Sequence, residues 1–242
     1  MVSKNQIKLI SSLQQKKNRA LNGLFIAEGV KVISELLDSH FSLEHLYTTA
    51  PLFVEIPASK RSVISETEIG KISALNTANN ALAVFRIPDA VPTKQQGLIV
   101  ALDDIRDPGN LGTIIRLCDW FGIAQIVCSE ETVDVYNPKV VQATMGSLAR
   151  VNVSYLNLNN FLANSDIPVF GTFMDGENIY KSILPSEGII VMGNEANGIS
   201  IDVEKTVSKR LSIPRFGNNQ KTESLNVATA TAIILSEFCR NS

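Results

Sequence analysis

Histidine is nearly missing from this 242-residue chain, with only His40 and His45 present. Imidazole catalysis and histidine-based metal sites therefore have little to draw on. Cysteine is scarce as well. Cys118, Cys128 and Cys239 form an odd set with no Cys-x-x-Cys pair, which argues against a disulfide framework and against a thiolate zinc site. No metal is expected. No apolar run reaches the roughly 18 residues that a membrane span needs. The opening Met1-Val2-Ser3-Lys4 starts no apolar signal core, so the expected location is the cytoplasm and no membrane partner is expected. Positive charge is not in excess: 22 Lys and Arg stand against 24 Asp and Glu, a net charge of −2. No Gly-x-Gly-x-x-Gly follows a strand-like run, and no Gly-x-x-x-x-Gly-Lys-Ser/Thr occurs. Neither a dinucleotide fingerprint nor a P-loop is supported.

What is present is enough for a full core: 45% of residues are hydrophobic and 19% charged, over a length that allows one large domain or two small ones. Basic charge is concentrated locally. Residues 1–31 hold Lys4, Lys8, Lys16, Lys17, Arg19 and Lys31 against Glu28 alone. A solvated helix face accounts for this as readily as a patch that contacts phosphates.

Taken in order, Ser3 is placed to cap a helix carrying Ile7, Ile10 and Leu13 on one side. Asn22-Gly23 breaks the chain before a short strand at 24–27. A helix is expected at 30–37, a strand at 43–48, a helix from Glu66 to about Leu75 behind the Ser65–Glu68 capping box, and a strand at 81–87. This is a small α/β domain, residues 1–90. Pro88, Pro92 and the polar run 93–97 make the linker, residues 91–97. From 98 to 242 the pattern is regular. Strands are expected at 98–104, 124–129, 151–156, 168–174, 188–193 and 210–214, and helices at 111–121, 138–149, 159–165, 200–207 and 225–240. Alternating strand and helix predicts a parallel sheet with ligands at the carboxyl ends of its strands.

Three of those strand ends are unusual. The first is Asp107-Pro108-Gly109-Asn110-Leu111-Gly112, where Asn110 reads as a helix cap and Arg116, further along, as half of a surface ion pair with Asp119. The second is Gly193-Asn194-Glu195-Ala196-Asn197-Gly198, a turn in which Gly193 permits close backbone approach. The third runs from Ile213-Pro214-Arg215 through a polar loop ending at Glu223 to Ser224-Leu225-Asn226, with Ser224 as cap of the last helix.

Together, in this order, the three strings resemble those of the SpoU/TrmH family of RNA ribose 2′-O-methyltransferases, within the SPOUT superfamily, over about residues 98–240. More weakly, Lys17, Arg19, Phe25, Ala27-Glu28-Gly29 and Lys31 resemble an L30e-like RNA-binding domain that precedes many members. The resemblance implies an α/β fold whose C-terminal parallel-sheet domain carries a deep trefoil knot, S-adenosylmethionine as cofactor, and a homodimer through that domain. It implies methyl transfer to a ribose 2′-hydroxyl of structured RNA, leaning to ribosomal RNA over tRNA. The alternatives are a tRNA enzyme or a non-catalytic RNA-binding or assembly factor that kept the fold. By motif, Asn110, Arg116, Glu195, Ser224 and Asn226 are the catalytic candidates. Thr172, Met192, Gly193, Asn194, Ile213 and Leu225 are the cofactor-binding candidates, and Lys16, Lys17, Arg19 and Lys31 the RNA contacts. An arginine, with a pKa above about 12, is a poor free base at neutral pH, so Arg116 reads as a clamp for phosphate or oxyanion.

Overall fold

The computed structural model describes residues 2–217 and 224–240. Two compact units divide the chain: Met1–Asp89 with Asp134–Ala149, and Ala90–Val133 with Arg150–Ser242.

The first unit opens with α1 (Lys4–Ser12), α2 (Lys16–Asn22), β1 (Leu24–Glu28), α3 (Val30–Leu37), β2 (Leu43–Thr48), β3 (Arg61–Val63), α4 (Glu66–Ile72) and β4 (Ala81–Arg86). Local chemistry sets the ends. Ser3 with Gln6, and Ser65 with Glu68, each form the reciprocal capping box that satisfies first-turn N–H groups. Gly23, at φ +62°, stops α2 with a left-handed residue. The sheet runs β1-β4-β2-β3, with β4 antiparallel to β1 and β2, and β3 parallel to β2. β1 is buried along its whole length, so its alternating side chains feed two apolar layers. Leu24 and Ile26 join Ile10, Leu13, Ile69 and Ile72. Phe25 faces the other way, stacked on Phe85 and packed against Phe41 and Tyr136.

Tyr136 comes from the second part of this unit. Sequence composition suggested one cut, at 91–97; the fold adds the segment 134–149, whose α6 (Pro138–Thr144) contacts β1. Asn137 caps α6 and Pro138 occupies its first turn. The helix ends at Thr144 rather than running to 149. Met145 and Gly146 both take positive φ, and a Cβ added at Gly146 would meet the Glu35 side chain at 2.6 Å.

In chain order the second unit is β5 (Leu98–Leu102), α5 (Pro108–Trp120), β6 (Gln125–Cys128), then β7 (Asn152–Tyr155), α7 (Leu158–Ala163), β8 (Val169–Asn178), β9 (Gly188–Met192), α8 (Ile201–Glu204), β10 (Lys209–Ser212) and α9 (Val227–Phe238). All six strands are parallel, in the order β10-β8-β9-β5-β6-β7. β5 and β9 are near-continuous apolar runs because helices cover both faces. They lie side by side in register, Leu102 beside Met192, so the first two unusual loops leave adjacent strands. The third follows β10 at the sheet edge, and α9 returns to pack on α5. β8 extends past its expected end because it stays paired with β10 through a register shift at Arg210/Leu211, where Gly176 lies directly on the Leu211 backbone. Among the described residues no helix is long and apolar enough to cross a membrane.

Two expected caps are displaced. α5 is capped by Asp107, whose side chain accepts from the Asn110 N–H, with Pro108 in the first turn; Asn110 is inside the helix. α9 is capped by Asn226, not Ser224, since the Asn226 carbonyl oxygen accepts from the N–H groups of both Ala228 and Thr229. In each case the residue nearer the expected start was not the one whose side chain reaches the free N–H groups.

Candidate functional site

The first loop is anchored before it turns. Asp103 continues the β5 ladder, its N–H donating to the Met192 carbonyl at 3.0 Å. Its carboxylate is buried and accepts from the Ser200 N–H at 2.7 Å. Asp104 takes a left-handed conformation, φ +57°, which an Asp tolerates better than most residues. Its N–H donates to Ser129 Oγ at 3.0 Å, and the next residue, Ile105, donates to Thr132 Oγ1 at 3.2 Å.

The second loop closes on itself. Asn194 and Gly198 exchange two backbone hydrogen bonds of 2.9 Å. Asn194 Oδ1 accepts from Ala196 and Asn197, and its Nδ2 donates to the Asp104 carbonyl at 2.7 Å. Every polar group of Asn194 is thus committed within the protein. It organises the loop. Gly193 does permit close approach, but the approaching backbone is the loop's own: a Cβ there would lie 2.3 Å from the Gly198 carbonyl carbon.

Between the loops runs a directed chain of side-chain amides. Asn226 uses its oxygen for the α9 cap, so its Nδ2 faces outward and donates to Asn110 Oδ1 at 2.9 Å. Asn110 Nδ2 must then point the other way, and it donates to the Glu195 carboxylate at 2.7 Å. The helix cap at one end and a carboxylate, which only accepts when ionised, at the other fix both amide orientations. One residue from each of the three strings is joined in this way.

Arg116 lies on α5 beyond Asn110. It is exposed, and among the described residues it holds no hydrogen bond or ion pair. The expected pairing with Asp119 is replaced: Asp119 binds Arg150 through a two-pronged contact, with Nη2 at 2.9 Å. Ser224 and Leu225 are exposed at the mouth of α9, with Leu225 48% accessible, and Ile213 is half-buried. Thr172 spends its hydroxyl on the Val191 carbonyl at 3.0 Å. Met192 is buried, and its carbonyl is taken by Asp103. These two shape the wall from within. The expected loop through Glu223 lies, from residue 218, outside the described residues. Among those residues no group of three or more His, Cys, Asp or Glu is assembled for a metal. Burial pushes the Cys118 and Cys128 thiols far up, so neither is a ready nucleophile.

In the first unit Lys16, Lys17 and Lys31 are exposed. Arg19 is not: it is 2% accessible, its Nε donates to Asp134 at 2.8 Å, and its Nη1 donates to the carbonyls of Leu13 and Gln14. Arg19 is a buried structural arginine, and the expectation that it contacts RNA is corrected. Asp103 and Asp104 are structural residues that the three strings do not include; a pair of acids at the end of a buried strand is the signal for them in the sequence.

Residues 97–236 match the SpoU rRNA Methylase family, and residues 4–83 match an MRM3-like substrate binding domain. A 23S rRNA guanosine-2′-O-methyltransferase of Bacillus subtilis, RlmP, is 29% identical, with 96% of each chain covered. Among solved structures, a Porphyromonas gingivalis protein assigned to the TrmH family of RNA methyltransferases is 40% identical over 100% of both chains, at a TM-score of 0.92. An S-adenosylmethionine-bound rRNA methyltransferase from Sinorhizobium meliloti is 28% identical, covering 99% of this chain and 97% of that one, at a TM-score of 0.88.

Proposed function

The chain belongs to the SpoU rRNA methylase family, and from that premise we propose that it methylates a ribose 2′-hydroxyl of 23S-type ribosomal RNA with S-adenosylmethionine as methyl donor. The observation that carries the reading is the Asn226–Asn110–Glu195 relay, which draws all three motif loops into one site.

The cofactor supplies an electrophilic methyl group on a positively charged sulfur. The residues present suit such a ligand. The exposed apolar Leu225 and the half-buried Ile213 offer apolar contact and backbone groups for an adenine, and the Gly193–Gly198 turn closes compactly beside them. The remaining task is to hold the 2′-oxygen in line and to manage its proton. Asn110, locked by its two neighbours, is placed to orient the ribose. Arg116, exposed and without a partner among the described residues, presents its guanidinium to a phosphate or to the developing oxyanion. The proton then leaves to an RNA phosphate, or to Arg116 transiently deprotonated once bound RNA shields it from water. Ser224, exposed beside Asn226, is proposed as a further hydrogen-bonding group toward the RNA. Exposed Lys16, Lys17 and Lys31 support a role for the first unit in holding the substrate. We further propose a trefoil knot in the C-terminal domain, homodimerisation through it, and a cytoplasmic location. Trp120, 84% accessible on α5, supports a buried partner face there.

The test is incubation with tritiated S-adenosylmethionine and either 23S ribosomal RNA or tRNA, followed by alkaline digestion. A labelled, alkali-resistant dinucleotide from ribosomal RNA is expected. Label confined to tRNA, label in an alkali-sensitive product, or no transfer would overturn the reading.

A further inference from the structure

The first motif loop carries an arginine that none of the roles above uses. Arg106 sits between the left-handed Asp104 and the helix cap Asp107. Its Nε donates to Asp104 Oδ1 at 2.8 Å, while 72% of its side chain remains accessible. An arginine held through Nε keeps its Nη donors free, and those are the donors that grip phosphate oxygens in pairs. The anchor is itself fixed: the Asp104 carbonyl is bonded to Asn194 and its N–H to Ser129, so its carboxylate projects from a set backbone. Asp104, Asp107 and Glu195 make this rim acidic, and Glu131 adds to the field at Arg106. Asn110 follows four residues after Arg106, in the first turn of α5.

We propose that Arg106 is a phosphate contact for the RNA substrate, pre-oriented by Asp104, that acts in capturing the strand beside the methylated ribose. This rests on the methyltransferase reading above, but its test does not need catalysis. RNA binding is measured by filter retention with in vitro transcribed 23S ribosomal RNA over a salt series, for wild type, Arg106→Ala, and Arg106→Ala with Asp104→Asn. Asparagine suits the left-handed backbone at 104, so the second change removes charge without straining the loop. For Arg106→Ala the expected result is about tenfold weaker binding at ~0.1 M salt, with the salt slope reduced by about 1. The double variant is expected to stay weak. Unchanged affinity and slope in Arg106→Ala would overturn the proposal. So would recovery to wild-type affinity in the double variant, which would show that Arg106 only neutralises Asp104. Failure of the methylation assay with normal wild-type RNA binding would count against the enzymatic reading and leave this measurement decisive for Arg106.

Discussion

Asn226 donates its side-chain amide to Asn110 at 2.9 Å across 116 residues of chain. The same Asn226 caps α9, so the bond that aligns Asn110 is held by the helix that begins there. The two tasks can be separated. Asn226→Asp keeps a good cap acceptor but has no amide N–H to give Asn110, whereas Asn226→Ala removes both. Thermal unfolding is expected to show a loss of about 1 kcal/mol for Ala and less than about 0.5 kcal/mol for Asp. Methyl transfer is expected to fall at least tenfold in both. An Asp variant with wild-type turnover would show that the relay is not needed to place Asn110.

Arg116 is exposed and, among the described residues, holds no hydrogen bond or ion pair, so its removal has little stability to forfeit. Surface changes away from special contacts stay within about 0.5 kcal/mol. Arg116→Ala is therefore expected to melt like wild type while losing on the order of a hundredfold in turnover, the range of a lost oxyanion donor. Arg116→Lys keeps the charge but not the fork, and should retain substantial activity if charge is what matters. Near-total loss in the Lys variant, with cofactor affinity intact, would instead favour a proton-accepting guanidine.

Legibility followed the distance over which each decision was made. Ser3, Ser65 and Asn137-Pro138 could be read as helix starts because their partners lie within three residues. The apolar runs of β5 and β9 were plain because a strand buried on both faces needs no alternation. Where several cap-type residues crowd together, as with Asp107 and Asn110 or Ser224 and Asn226, local sequence does not choose. The choice is made by the tertiary partner, here Asn110 with Glu195 and Asn226. Arg19 was misread for the same reason: it sits in a basic run, but its carboxylate is Asp134, 115 residues away. β3, only three residues long, carries too little pattern to be seen.

The basic residues of the first unit should divide sharply on substitution. Arg19→Ala leaves Asp134 and two backbone carbonyls without their donor inside the fold, and breaking a buried pair costs about 3–5 kcal/mol. Lys16→Ala with Lys17→Ala should leave stability within about 0.5 kcal/mol and weaken RNA binding, with a flatter salt dependence. Urea unfolding and filter binding on the two proteins check this together. The reverse pattern, a stable Arg19→Ala protein that has lost RNA affinity, would restore Arg19 as an RNA contact.

Two glutamates of that unit should leave opposite marks on stability against pH. Backbone N–H groups of Ser65 and Val2 hold the Glu68 carboxyl at about 2, below its ordinary 4.5. A depressed acid stabilises the fold above 4.5, and that contribution is lost as pH falls toward 2. Burial raises Glu28 despite its bonds from Ser73 and Ala74, so there the folded state prefers the proton, and stability declines as pH rises from 4.5 through the raised value. Glu68→Gln should flatten the acid limb. Glu28→Gln, whose amide can still pair with both partners, should remove the decline on the other side. Unfolding midpoints measured from pH 2.5 to 7 (about half-unit steps) test both signs, and slopes identical to wild type would refute the assignments.

The second loop offers the sharpest contrast between two glycines. At Gly193 an added Cβ would meet Gly198 C, Ile199 N and Gly198 O at 2.3, 2.4 and 2.6 Å, all backbone atoms that cannot rotate away. Relief requires moving the Gly198–Ile199 segment, which would break the Asn194–Gly198 pairing and draw the Ser200 N–H from Asp103. At Gly198 nothing lies within 4 Å, and the cost is only that of a left-handed residue with a side chain, about 1–2 kcal/mol. Gly193→Ala is thus expected to lower S-adenosylmethionine affinity more than tenfold by calorimetry, and Gly198→Ala only a few fold. Equal, mild effects from both would mean that the loop yields without consequence and that its closed geometry is not what receives the cofactor.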